Sequence, residues 1–99
     1  MVKHIVLFQL APDMDPALKQ QVMQDFKKAI EALPATIPFL RSVEVGININ
    51  SSETFDLALY STFDTLDDVR AYAVHPDHVA AASLIGPYKV ARSCVDYEV

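Results

Sequence analysis

Tyr72, His75 and His78 fall within one short stretch, YAVHPDHV, and the rest of the chain holds one more histidine, His4. Imidazole is the side chain whose ordinary pKa, about 6.5, lets it take up or release a proton near neutrality. If Pro76 opens a helix, His78 lies in its first turn. The positive helix end then disfavours imidazolium and leaves a neutral ring able to act as a general base. A phenol with an ordinary pKa near 10 is better suited to donating a hydrogen bond to a carbonyl or enolate oxygen. Tyr72 and His78 thus suit proton abstraction next to a carbonyl. The same residues also fit a structural reading, in which His78 packs at a helix junction and the Tyr72 ring anchors a helix. His75, just before Pro76, suits capping the following helix or binding carbonyls at the end of the preceding one.

Metal chemistry is not expected here. His75 and His78 supply two ligands, with Asp77 or His4 as the candidates for a third, whereas catalytic zinc usually takes three protein ligands and no cysteine cluster helps. The single cysteine, Cys94, is read as inert packing within a strand. Ser51 and Ser52 read as turn residues without an acid–base partner. Gly46 and Gly86 are isolated, so no phosphate-cradling loop is present. Nothing specifies haem, flavin or another cofactor.

The elements that must position these residues follow from periodicity. Val2–Leu10 reads as a strand, closed by Pro12, with Val2, His4, Val6, Phe8 and Leu10 on one face and Lys3, Ile5, Leu7 and Gln9 on the other. Both faces are apolar in the middle, which predicts cover on both sides. Asp15 then Pro16 is a helix start. Leu18, Val22, Phe26, Ile30 and Leu33 form one stripe on a helix of about 18 residues. Ser42–Asn50 and Phe55–Phe63 alternate as an antiparallel pair of strands, with Gly46 a possible bulge. Thr65 opens a second helix with the stripe Leu66, Val69 and Ala73, and Pro76 ends it and starts a third running to Leu84. Tyr88–Val99 closes the chain as a strand.

The order β-α-β-β-α-β predicts an α+β, ferredoxin-like, four-stranded antiparallel sheet with helices on one face, a single domain over residues 1–99. The other sheet face, carrying Ile5 and Leu7, is left uncovered and predicts a homodimer pairing sheet to sheet.

The segments VKHIVLFQL, SVEVGIN, FDLALYSTFDTLDDVRAYAVHPDHV and CVDYE resemble the stress-responsive A/B barrel domain (Dabb) family across nearly the whole chain. The resemblance implies a homodimeric α/β barrel with the sheets facing each other. It implies a function only loosely, since the family includes plant stress-induced proteins, bacterial proteins without known activity, and a plant branch of cofactor-independent polyketide cyclases. The tyrosine and histidine that act as an acid–base pair in that branch fall on Tyr72 and His78, and its first-strand pocket histidine falls on His4. A further pocket histidine of that branch is replaced by Leu57. A ligand pocket lined by His4, Phe26, Leu57, Leu59 and His75 is the resulting expectation, with a small apolar or carbonyl ligand. Two functions stay open: a stress-response or ligand-binding module without catalysis, and a cyclase or isomerase using His78 as base and Tyr72 as donor.

Composition narrows the partners. A net charge of −5 disfavours nucleic acid, where phosphate contacts dominate affinity. No apolar run approaches the ~20 residues of a membrane span, and no basic cluster marks a membrane surface. A hydrophobic fraction of 52% leaves some apolar surface beyond the core for an interface or cavity. The lone cysteine and the lack of a visible signal peptide predict a cytoplasmic setting.

Overall fold

The computed structural model describes residues 1–99. Four strands, β1 (Val2–Leu10), β2 (Ser42–Ile47), β3 (Leu57–Phe63) and β4 (Lys89–Glu98), form one antiparallel sheet in the order β2-β3-β1-β4. Three helices, α1 (Pro16–Glu31), α2 (Leu66–Val74) and α3 (Pro76–Ala82), complete the α+β ferredoxin-like fold. The helix-facing side of β1 is the line of alternate residues read from the sequence: Val2, His4, Val6, Phe8 and Leu10 are all buried. The opposite face is not covered within the chain. Ile5 there lies between Tyr60 and Val95 on the neighbouring strands, and Val95 is 62% exposed.

Helix α1 starts where the sequence says. The Asp15 carboxylate accepts the Leu18 N–H at 3.1 Å, and Pro16 takes the first position, where its missing N–H costs nothing. The helix is two turns' worth of buried contact, Val22, Met23, Phe26 and Ile30, and it stops at Glu31. Leu33 packs into the core from a separate 3-10 turn, Leu33–Ala35, rather than from the helix itself. At its C-terminal end α1 grips the edge strand β2: Glu31 accepts the Val45 N–H at 3.0 Å, and Lys27 donates to the Val45 carbonyl at 2.6 Å. Edge groups that could otherwise pair with another chain are thereby occupied.

Three expectations change in detail. Strand β2 ends at Ile47, not Asn50, because Asn48 and Asn50 turn the chain with their own side chains: Asn48 Oδ1 accepts the Asn50 N–H at 2.8 Å and Asn50 Oδ1 accepts the Ser52 N–H at 3.1 Å. Gly46 carries no bulge; it pairs in unbroken register with Ala58, and the one register shift in the sheet lies between Gln9 and Leu10 where β1 meets β4. The stripe Leu66, Val69 and Ala73 is not the core face of α2. Its buried residues are Val69 and Tyr72, while Leu66 and Ala73 are exposed.

Candidate functional site

Tyr72 is placed by α2, a helix whose start is held by the Thr65 hydroxyl accepting the Asp68 N–H at 3.1 Å. Asp67 and Asp68 in the first turn complement the helix dipole. At the other end Pro76 opens α3, and His75 is its cap: Nδ1 accepts the Asp77 N–H at 3.1 Å. The His75 ring also meets the edge of Phe39 at 6.4 Å between centroids. His75 thus sits at the helix junction, bonded to backbone, away from the hollow described below.

The turn at His75 folds α3 back so that His78 lies on Tyr72, with ring centroids 4.2 Å apart. Tyr72 in turn packs against Phe63 of β3 at 5.2 Å and meets His4 of β1 edge-on at 6.4 Å. The structure brings His4, Tyr72 and His78 into one ring cluster, drawn from β1, α2 and α3. Tyr72 is 2% exposed, and its hydroxyl is buried with no hydrogen-bonding group of the protein within reach. Burial pushes its pKa up to about 12, so it stays a phenol and a donor across the neutral range.

His78 Nδ1 lies 3.2 Å from the Ala73 carbonyl. A carbonyl only accepts, so Nδ1 carries the proton and Nε2 keeps the lone pair. Burial is the largest cause lowering its pKa, while the bond to Ala73 pulls the other way. A neutral ring with a basic Nε2 is the result. The expectation of a lowered pKa holds, but desolvation rather than the helix dipole leads it.

His4 is buried at the base of an open hollow of about 620 Å³ between α2 and β4. One wall is Leu66, Val69, Arg70 and Ala73, the apolar stripe of α2 with an arginine in it. The other is Arg92, Cys94 and Asp96, alternate residues on the helix-facing side of β4. His4 Nδ1 donates to the Asp96 carboxylate, its cross-strand partner, and lies 3.6 Å from Cys94 Sγ. Burial raises the thiol pKa of Cys94, and the Asp96 charge adds to it. Phe26, Leu57 and Leu59 lie elsewhere: they are core residues, 1–3% exposed, and do not line this hollow.

Arg92 and Asp96 were not singled out from the sequence, and Cys94, read there as inert packing, lines the hollow. Their alternation shows that they share a strand face, but their proximity to His4 depends on β4 pairing beside β1, across some ninety residues of chain.

Comparison with solved structures places this geometry among known folds. A dimeric ferredoxin-like protein of unknown function from Bacteroides fragilis is 56% identical, covering 99% of this chain and 95% of its own, with a TM-score of 0.97. A dimeric ferredoxin-like protein of unknown function from Thermobifida fusca is 32% identical over 99% of this chain and 90% of its own, with a TM-score of 0.79. A hydroxynitrile lyase from Passiflora edulis shares the fold at 19% identity, covering 97% of this chain and 90% of its own, with a TM-score of 0.70. No curated protein matches the sequence. The model of the stress responsive A/B barrel domain matches residues 2–99, nearly the whole chain, and by that match the protein belongs to the Dabb family.

Proposed function

We propose that the protein is a homodimeric small-ligand-binding module, and that the ligand carries a carbonyl group which the Tyr72 hydroxyl recognises. The observation that carries this reading is the Tyr72 hydroxyl itself. A buried O–H without a protein partner costs roughly 1–3 kcal/mol, so it is an expensive place to keep an oxygen unless something outside the chain bonds to it. The neighbouring hollow, which His4 lines and Tyr72 and His78 do not, is large enough for a small organic molecule, and its walls mix apolar and polar groups as ligand sites do.

The dimer is supported by the uncovered sheet face, where Leu7 and Tyr97 as well as Val95 are exposed, and by the dimeric description of the Bacteroides and Thermobifida proteins. Sedimentation at micromolar concentration should give a species of twice the chain mass; a monomer contradicts this part of the reading. A role in stress response and a cytoplasmic setting remain readings of the family resemblance and the lone cysteine. The structure contributes that no helix is long and apolar enough to cross a membrane.

A second reading, cofactor-independent cyclisation or isomerisation, is favoured by the His78 tautomer. With Nε2 free and basic, His78 can remove a proton next to the carbonyl that Tyr72 holds, and the enolate oxygen then gains from the phenol's hydrogen bond. Titration with small aromatic and β-dicarbonyl compounds, followed by NMR, tests the site. Shifts centred on Tyr72, His78 and His4 are expected; shifts confined to the opposite sheet face overturn it. Substrate deuterium exchange lost in His78→Ala then separates catalysis from binding alone.

A further inference from the structure

We infer that His4, Cys94 and Asp96 form a binding site for a single zinc-like divalent ion. Their donor atoms, one imidazole nitrogen, one thiol sulfur and one carboxylate oxygen, lie within 4.8 Å of one another. Tetrahedral ligands held about 2.0–2.3 Å from zinc stand roughly 3.3–3.6 Å apart. The nitrogen–sulfur separation of 3.6 Å meets that spacing, and the sulfur–oxygen separation of 3.8 Å nearly does. Only the His4–Asp96 pair is too close, because the two are hydrogen-bonded. Opening it takes a rotation of the Asp96 side chain, which is 30% exposed.

The donors come from rigid parts. His4 and Asp96 are cross-strand partners on β1 and β4, and Cys94 precedes Asp96 by two residues on the same face. Sites built on strands hold geometry better than sites on loops. A set of one sulfur, one nitrogen and one oxygen suits a borderline ion such as zinc rather than magnesium or calcium, which take oxygens. On binding, the Cys94 thiol and His4 Nδ1 each give up a proton to solvent, so that sulfur and nitrogen both offer a lone pair to the ion. Three protein ligands leave a fourth position facing the hollow, where Arg92 and Arg70 stand on opposite walls. Such an arrangement can take a small anionic or carbonyl ligand at the metal. The sequence disfavoured metal binding on the pair His75 and His78, and the fold uses the two differently: His75 caps α3, while His78 lies on Tyr72.

The lone cysteine makes the test specific. Protein stripped with a chelator is titrated with cobalt(II) and followed by absorption. A near-ultraviolet thiolate-to-cobalt band should saturate at one equivalent per chain and disappear on adding zinc. Cys94→Ser should abolish the band, and Asp96→Asn should weaken cobalt affinity by about tenfold or more. No band at excess cobalt overturns the inference, as does unchanged affinity in Asp96→Asn. Neither result bears on Tyr72 and His78, whose ligand titration is read on metal-free protein.

Discussion

The two ends of the helical layer are built differently. Under α1 the sheet is sealed: Val22, Met23, Phe26 and Ile30 are buried against it, Phe8 meets Phe26 edge-on at 5.9 Å, and Lys27 and Glu31 close the β2 edge. Under α2 it is not. That helix has 9 residues against 16, buries only Val69 and Tyr72, and leaves the helix-facing side of β4 open. The residues on that open side are Arg92, Cys94 and Asp96, not aliphatic ones. The α1 end is thus organised for packing. The α2 end gives up packing for polar groups, one of which, the Tyr72 hydroxyl, has no partner within the chain.

The contrast can be broken by mutation. The largest expected effect is at the sealed end. Phe26→Ala removes a fully buried ring and should cost about 3–5 kcal/mol, measured by urea unfolding. A cost below about 1 kcal/mol would mean that this end is as loosely packed as the other.

A smaller effect is expected at His78 and depends on pH. Its pKa in the folded chain lies below the ordinary value, so below about pH 6.5 the unfolded chain binds a proton that the folded chain refuses. Stability from this group is complete above that pH and declines as pH falls through 6.5 towards the folded value. His78→Asn should flatten the stability profile between pH 7 and 5. An unchanged slope would place His78 in solvent rather than against Tyr72.

What could be read from the sequence follows the same division. Helix α1 was legible because Val22, Phe26 and Ile30 repeat at helical spacing and Asp15-Pro16 marks the start. The cap formed by His75 was legible too, since its neighbour Pro76 forces a helix boundary. The end of β2 was not, because Asn48 and Asn50 compete with the ladder through side-chain bonds that alternation does not reveal. On α2, periodicity found the stripe Leu66, Val69 and Ala73 but not its use, since an apolar stripe looks the same facing a core or a hollow. The approach of His4 to Cys94 and Asp96 is a matter of strand pairing, which local pattern does not carry. The ring contact of Tyr72 with His78 was legible only as a question of spacing and family resemblance; the fold answers it at 4.2 Å.

The central claim is that the Tyr72 hydroxyl is kept for a ligand, at a cost to the fold. Tyr72→Phe removes the oxygen and leaves the ring contacts with Phe63, His4 and His78 in place. Thermal unfolding and carbonyl-ligand titration on the same variant test the claim directly. The variant should be more stable by about 1 kcal/mol, a rise in Tm of several degrees, while ligand affinity falls about tenfold. A less stable variant that binds as the parent does would contradict the claim and return Tyr72 to the role of a packing residue.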